Sequence, residues 1–387
     1  MPDRRDQLLE ATAHLEAPLA VLDDVALDAN AADLVARAAG VPIRVASKSL
    51  RVRAVLEDVL ARPGFRGVMS FSLAESVWLA DQGHDDVLLA YPSTSAQGFA
   101  DLVAAEHRRA AITVMVDCVE HLDLVDGVLG ADHPSIRVCL DVDASLRLGP
   151  LHLGARRSPV HTAEEAEALA RAVAARPGFD LVGVMFYDAQ IAGVPDSSPA
   201  VRLMKRGSAA ELVRRRAAVV EAVSRHAGLQ VVNAGGTGSL HVTGQDPVVT
   251  ELAAGSGLFA PTLFDGYAAF DPRPAAYLAL PVARRAADDV VTLFSGGFIA
   301  SGPTGASRAP TPVWPEGLSL TRNEGAGEVQ TPVQGEAARR LRIGDRVLLR
   351  PAKAGEPMER VDRMARVAAD GTVTVVPTYR GEGCCFG

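Results

Sequence analysis

The sequence predicts an α/β protein, a (β/α)8 (TIM) barrel followed by a smaller C-terminal β-domain. Three observations support this. Short apolar segments alternate with helical patterns over roughly 250 residues, the size of such a barrel. After residue 274 the pattern changes to short strand-like segments between Gly/Pro turns. The length of 387 residues also exceeds what one hydrophobic core usually holds.

Eight apolar, β-branched segments without polar alternation predict strands buried on both faces, as in a parallel sheet. They are Ile43–Ser47, Gly67–Phe71, Val87–Tyr91, Ile112–Asp117, Ile136–Val142, Leu181–Tyr187, Gln230–Asn233 and Glu251–Ala254. A doubly wound sheet is the structural alternative. It would need a glycine-rich turn after the first strand, where this chain has Lys48.

Between the strands, the apolar spacing predicts helices at Leu50–Leu60, Leu73–Gln82, Ala163–Ala175 and Ala209–Ala227. Ser72 and Thr162 precede two of them and are predicted N-caps. Glu75 and Glu165 follow at the spacing of a capping box.

We expect three parts along the chain. Residues 1–25 form an N-terminal segment that packs on the β-domain, residues 26–274 form the barrel, and residues 275–387 form the β-domain. The boundary follows Asp271-Pro272-Arg273-Pro274, which interrupts regular structure. Predicted strands beyond it include Val290–Ser295, Asp345–Arg350 and Thr372–Pro377.

Composition excludes several classes of function. The net charge of −8, without a basic run, argues against a nucleic-acid groove. No apolar run is long enough to span a bilayer and no signal peptide is evident, so we expect a cytoplasmic protein. Four scattered cysteines do not make a disulfide framework. We expect Cys118 and Cys139 to be buried thiols, and no metal or redox role for Cys384 and Cys385.

Lys48 is the most informative residue. It ends the first barrel strand, at the mouth where a barrel places its chemistry, and its charge would oppose the dipole of the helix that follows. Far downstream, Gly235–Ser239 follows the seventh strand and Gly255-Ser256-Gly257 follows the eighth, where barrels commonly bind phosphate. Backbone N–H groups of these loops, with the hydroxyls of Thr237 and Ser239, suit phosphate oxygens.

An amine facing a phosphate cradle suggests pyridoxal 5'-phosphate (PLP), bound covalently at one end and electrostatically at the other. A plain βα turn is the alternative for either glycine loop taken alone. After the fifth strand, Arg156 or Arg157 is placed to face the cofactor ring. An arginine stays protonated, so it would leave the pyridine nitrogen neutral. Tyr187, after the sixth strand, is a candidate for stacking on the ring or binding the phosphate.

These elements together resemble the fold-type III PLP enzymes, in particular the D-threonine aldolase and D-serine dehydratase branch. The resemblance rests on Val45–Ser49, Gly154–Ser158, Tyr187–Gln190 and Gly235–Ser239. Two C-terminal stretches, Lys353–Glu356 and Thr378–Gly383, add to it. It implies an alanine-racemase-like barrel with a β-domain, usually a homodimer. It also implies that Lys48 forms the imine with the cofactor and that Arg157 approaches the pyridine nitrogen. Phosphate is assigned to Gly236, Thr237 and Gly257, with Gly238, Ser239 and Gly255 in the same two loops.

One departure concerns a divalent metal. Relatives in this branch place a histidine and, two residues on, a cysteine or aspartate in the β-domain as metal ligands. Pro351 and Lys353 stand at those places here. Proline has no side-chain ligand and an ammonium repels a cation, so the metal is doubtful. Our hypothesis is that Lys353 replaces it as the electrophile beside the substrate hydroxyl or carboxylate.

The predicted function is retro-aldol cleavage of a β-hydroxy amino acid, of the D enantiomer by resemblance, to an aldehyde and glycine. Dehydration of the D-serine type, racemisation and non-catalytic PLP binding are the alternatives. Non-catalytic PLP binding would leave the β-domain without a role. Candidate proton-handling groups besides Lys353 are Glu328, His84, His161 and Tyr379.

Overall fold

A computed structural model describes residues 3–296 and 298–386. The strands are β1 (Leu19–Asp23), β2 (Ile43–Ala46), β3 (Phe65–Ser70), β4 (Val87–Leu89), β5 (Ile112–Val116), β6 (Ile136–Asp141), β7 (Leu146–Leu148), β8 (Leu151–Leu153), β9 (Phe179–Phe186), β10 (Val231–Ala234), β11 (Glu251–Ala254), β12 (Ala276–Ala287), β13 (Val290–Phe294), β14 (Thr311–Trp314), β15 (Ser319–Leu320), β16 (Gln330–Gln334), β17 (Arg346–Arg350), β18 (Arg363–Val367) and β19 (Val373–Pro377).

The α-helices are α1 (Arg4–Ala11), α2 (Asp24–Arg37), α3 (Arg53–Leu60), α4 (Leu73–Asp81), α5 (Ala96–Val103), α6 (Glu106–Ala111), α7 (Val119–Leu129), α8 (Ala163–Ala174), α9 (Ala189–Ala192), α10 (Pro199–Ser224), α11 (Leu240–Thr243) and α12 (Ser256–Phe259). None of these helices has the length and apolar character that crossing a membrane requires.

The predicted barrel is confirmed. Eight strands, β2 to β6 and β9 to β11, form a closed parallel sheet, and the last pairs with the first through Leu252 and Ile43. The predicted strands lie within a few residues of those observed, and Glu251–Ala254 has the predicted bounds. A small hairpin, β7–β8, follows the fifth barrel strand. The barrel interior is filled by side chains such as Met69, Met115 and Cys139, so it is a packed core.

The helices differ from prediction mainly at their starts. The chain does not enter a helix directly after Lys48; a 3-10 turn spans Ser47–Ser49 and α3 begins at Arg53. The long helix α10 begins at Pro199 rather than Ala209, because Ser198 caps it and proline suits a first helical turn. At α8 the capping box of Thr162 and Glu165 is present. At α4 one half of the predicted capping box forms, because the Ser72 hydroxyl accepts from the backbone N–H of Glu75. The Glu75 carboxylate accepts from the backbone N–H of Phe71 and not from that of Ser72.

A separate nine-stranded sheet forms the second domain. Its longest strand is β12, which no sequence pattern singled out. The N-terminal strand β1 inserts between β12, to which it is antiparallel, and β18, to which it is parallel. Residues from both ends of the chain therefore share one sheet.

Backbone hydrogen bonds join this domain to the barrel mouth. Thr262 N–H donates to Pro351 (3.1 Å) and Tyr379 N–H donates to Arg51 (2.9 Å). The Arg350 guanidinium donates to the Ala260 carbonyl at 2.9 Å. These contacts place β-domain loops over the C-terminal ends of the barrel strands.

Candidate active site

A cavity of ≈ 770 Å³ opens at the C-terminal ends of the barrel strands, where a barrel is expected to carry its chemistry. Its walls come from both domains. The barrel contributes the ends of five strands and the loops after them. The β-domain contributes the loops around Ser301–Arg308 and Lys353–Glu356.

A second cavity of ≈ 460 Å³ lies at the opposite end of the barrel. Its central cation, Arg44, is buried and already paired with Glu251 (2.6 Å) and Asp86 (2.8 Å). Its charges satisfy one another, as in a structural ion-pair network, so we assign the chemistry to the larger cavity.

Lys48 reaches this larger cavity from the 3-10 turn after β2. Its Nζ contacts the hydroxyl of Tyr91, which follows β4. The whole sequence contains three lysines, Lys48, Lys205 and Lys353. Two of the three line this one cavity. Lys205 instead pairs with Asp196 at 2.8 Å.

The loop after β10 divides into two parts. Gly235, Gly236 and Thr237 line the cavity, and Gly235 adopts a φ of 83° that favours glycine. Ser239 is fully buried behind them; its hydroxyl donates to Asp188 (2.9 Å) and accepts from Gly236 N–H (3.1 Å). Ser239 therefore holds the loop from behind and does not face the cavity. Gly238 is likewise behind it, where a Cβ would lie 2.4 Å from the Ala192 carbonyl oxygen.

The loop after β11 closes against this one. Gly255 and Ser256 line the cavity, whereas Gly257 packs on Thr237, where a Cβ would lie 2.6 Å from its methyl carbon. The Thr237 hydroxyl accepts from Gly257 N–H (3.2 Å) and lies 3.4 Å from the Ser256 hydroxyl. The two glycine loops thus present backbone and hydroxyl donors at one wall, a donor set that fits a phosphate.

Arg157 lines the same cavity. Its guanidinium carbon is 5.7 Å from the ring centroid of Tyr91 and 5.5 Å from that of Tyr187. Arg156 is not among the lining residues. Of the two predicted arginines, the structure therefore brings Arg157 to the site.

Three ionisable side chains at this end of the barrel have shifted pKa values. Burial and the neighbouring Asp117 carboxylate raise the pKa of Asp141 to about 7, although Arg157 opposes the shift. Burial raises the pKa of Tyr187. Burial alone would also raise that of Tyr91, but the positive charges of Lys48 and Arg157 lower it below its ordinary value.

The β-domain wall carries a second amine. Lys353 Nζ donates to the Ser301 hydroxyl (2.6 Å) and pairs with Glu356 (3.1 Å). Glu356 also accepts from the backbone N–H of Ser301 (2.8 Å), and these partners lower its pKa despite its burial. Nearby, the buried Nε of Arg308 has no hydrogen-bond partner among the described residues.

Several predicted proton-handling residues do not line the cavity. Glu328 is exposed in a β-domain loop. His84 lies 4.0 Å from Glu57, and His161 is bonded to the Asp143 carbonyl (3.1 Å). Tyr379 is buried and packs on Trp78, with 5.0 Å between ring centroids.

The β-domain position of the doubtful metal ligands does not fit a divalent ion. Lys353 places its ammonium there, and the Pro351 carbonyl already accepts from Thr262. Among the described residues, one group offers three ligand atoms within 4.8 Å, namely Asp117, Cys118 and His121 after β5. These residues are not part of the cavity wall. Cys118 is only partly buried, contrary to our expectation, whereas Cys139 is buried as predicted.

Sequence reasoning missed Tyr91, Ser256, Ser301, Glu356 and Arg308 as cavity residues. Tyr91 ends a predicted strand, so the rule that singled out Lys48 was available for it too. No local signal marks the β-domain residues, because their place depends on how the two domains pack.

The fold and the cavity define a class, an eight-stranded barrel with a β-domain, in which one shared site contains a strand-end lysine and a phosphate-type cradle. Residues 22–259 match the family model "Alanine racemase, N-terminal domain". The chain belongs to this family, and the predicted kinship with fold-type III PLP enzymes is confirmed. Comparison with curated protein sequences finds no match.

Solved structures of the same two-domain fold are similar over nearly the whole chain. D-threonine aldolase from Filomicrobium marinum has a TM-score of 0.80 at 20% identity, covering 96% of each chain. D-threo-3-hydroxyaspartate dehydratase from Delftia sp. HT23 has a TM-score of 0.76 at 19% identity, covering 94% of this chain and 97% of that one. An alanine racemase-like protein from Idiomarina loihiensis has a TM-score of 0.73 at 14% identity, covering 96% and 98%.

Proposed function

We propose that this protein is a PLP-dependent lyase that cleaves a D-β-hydroxy amino acid into an aldehyde and glycine. The observation that carries the proposal is the meeting of Lys48, the two glycine loops and Lys353 around one cavity. Family membership implies the cofactor, and the similar aldolase and dehydratase structures agree with a lyase.

The residues present fit PLP. Lys48 would hold the aldehyde carbon of the cofactor, and the N–H groups and hydroxyls of Thr237 and Ser256, beside Gly236, would hold its phosphate. When bound, the cofactor supplies an electron sink for the carbanion left by bond cleavage. Arg157 would face the cofactor ring; because an arginine stays protonated, it would donate to the ring nitrogen and leave that nitrogen neutral.

Lys353 is assigned to the substrate hydroxyl. Retro-aldol cleavage requires the β-hydroxyl to lose its proton, and an ammonium within hydrogen-bond reach stabilises the developing alkoxide. Glu356 and Ser301 hold the amine in place, at 3.1 and 2.6 Å. In this role the Lys353 ammonium replaces the metal ion that would otherwise act as the electrophile.

Arg308 is assigned to the substrate carboxylate, on the basis of the charges at the β-domain side of the cavity. Arg51 is neutralised by Glu359 (2.7 Å) and Lys353 by Glu356. The Arg308 Nε is buried and unsatisfied among the described residues, a costly state that a carboxylate would relieve. Among the described residues, Arg308 is thus a β-domain cation of this cavity that forms no ion pair, and a substrate carboxylate would supply its partner.

The test is a screen of D- and L-β-hydroxy amino acids, with and without a chelator, that measures aldehyde, keto acid and ammonia separately. Aldehyde with glycine, from D substrates and in the presence of chelator, is the expected result. Keto acid with ammonia would instead assign a dehydratase. An inverted Cα centre would assign a racemase, and no turnover by the cofactor-loaded protein would assign a binding protein.

A further inference from the structure

Tyr91 is the unassigned residue that the geometry ties most closely to the reacting centre. Its hydroxyl contacts Lys48 Nζ, and its ring centroid lies 5.0 Å from that atom. Of the described residues, it is the one whose side chain hydrogen-bonds to the lysine. Both side chains project into the cavity.

The ionisable groups that face Tyr91 come from different elements of the barrel. Lys48 approaches from the turn after β2, Arg157 from the segment after β8, and Tyr187 from the end of β9. Two cations thus lie beside the phenol, and Asp141, which interacts with Arg157, is not among the groups that shift the pKa of Tyr91. Such surroundings favour a negative charge on the phenol oxygen.

We propose that Tyr91 is the acid–base partner of Lys48. As a phenolate it accepts one proton from the Lys48 ammonium, leaving a neutral amine and a neutral phenol. As a phenol it returns that proton when the lysine is displaced. The transfer moves one proton between Nζ and the phenol oxygen and needs no other reactant. This role rests on the assignment of Lys48 in the proposed function.

A phenol suits this task better than a carboxylate would. Lysine and tyrosine ordinarily have pKa values of about 10.4 and 10, so the proton moves between them at little cost. A carboxylate, with a pKa of about 4, would leave the proton on the amine. Only the neutral amine has the lone pair that adds to an aldehyde.

The first test is a spectroscopic titration of the tyrosines in the full-length, cofactor-free protein, following phenolate absorbance at about 295 nm. Burial raises the pKa of Tyr187, Tyr267 and Tyr379, and that of Tyr277 to about 12. The chain has five tyrosines, so a step below pH 10 would report Tyr91 alone. Tyr91→Phe should abolish the step, and Lys48→Met should move it upward.

Tyr187→Phe is the matched control, since this tyrosine lines the same cavity but does not bond to Lys48. Tyr187→Phe should retain the titration step below pH 10. A step that persists in Tyr91→Phe, or that does not move in Lys48→Met, would overturn the proposal.

The second test follows the rate at which cofactor-free protein becomes yellow after PLP is added, with no substrate present. Tyr91→Phe should slow this rate by about 100-fold, the usual size of an acid–base contribution, and flatten its pH profile. An unchanged rate and profile, at unchanged melting temperature, would contradict the role. Because no substrate is used, this outcome is independent of whether the lyase assay succeeds.

Discussion

A Cβ built on Gly355 would lie 2.0 Å from the carbonyl oxygen of Lys48. The β-domain loop therefore lies directly against the turn that carries the lysine, with no space for a side chain. Lys353 lies two residues before this glycine and Glu356 directly after it, and both line the cavity.

We predict that Gly355→Ala disrupts the site from the β-domain side. The methyl group would force two backbone segments apart, and overpacking of this kind costs about 1–3 kcal/mol of folding free energy. Thermal unfolding should show a lower melting temperature, and the lyase assay should show a loss of turnover. Gly228→Ala is the control, because a Cβ there meets nothing within 4 Å. Equal behaviour of the two variants would show that the loop is free to move away.

Borohydride trapping should label Lys48. The three lysines of the chain make the mapping simple, since peptide mass analysis must distinguish only Lys48, Lys205 and Lys353. We expect the purified protein to absorb near ~420 nm, as a lysine–PLP imine does, and Lys48→Met to lose this band. An adduct on Lys353 would reverse the roles of the two cavity lysines.

Lys353→Met should keep the yellow colour and lose activity. Removing one donor to a developing oxyanion typically lowers kcat by about 10²–10³-fold, and we expect a fall of this size. Lys353→Arg, which keeps the charge but not the shape, should retain part of the activity. A variant that loses its colour as well would indicate a role in binding the cofactor.

Exhaustive chelation should leave the activity of the wild-type protein unchanged. The expectation follows from the ammonium of Lys353 at the position where the resemblance places metal ligands. Loss of activity that returns on adding zinc or manganese would contradict it. Asp117→Asn would then show whether Asp117, Cys118 and His121 hold the ion.

Arg308→Gln should raise KM about tenfold or more, because a charged hydrogen bond contributes about 1.5–3 kcal/mol. The value of kcat should change much less, since the carboxylate is bound in the ground state as well as in the transition state. Arg322→Gln, an exposed arginine of the same domain, is the control. An unchanged KM in Arg308→Gln would show that another group binds the carboxylate.

Stability should fall as the pH rises from about 4.5 to about 7, because of Glu75. Burial raises the pKa of this carboxyl to about 7, against its hydrogen bond from Phe71 and the charge of Arg51. The folded state therefore keeps the proton more tightly than the unfolded state. The contribution of protonated Glu75 to the free energy of unfolding is complete below pH 4.5 and is lost as the pH rises to about 7. A shift from 4.5 to about 7 corresponds to about 3 kcal/mol.

Glu75→Gln, which cannot ionise, should remove this part of the dependence and raise the melting temperature above pH 7. Denaturant unfolding at several pH values would measure it. If the free energy of unfolding changed with pH in the same way in wild type and variant, Glu75 would not be the cause of the pH dependence.

Sequence periodicity by itself determined the barrel, since strands buried on both faces are continuously apolar, as at Val87–Leu89. It also placed Lys48 and Thr237 at one mouth, because parallel strands in a closed barrel end on the same side. The direction of individual side chains was decided by tertiary structure. A hydroxyl in a glycine loop can face either way, and Ser239 turns inward because Asp188 is there to accept its hydrogen bond. The meeting of Lys353 and Arg308 with Lys48 depends on packing between two domains, which no local pattern encodes.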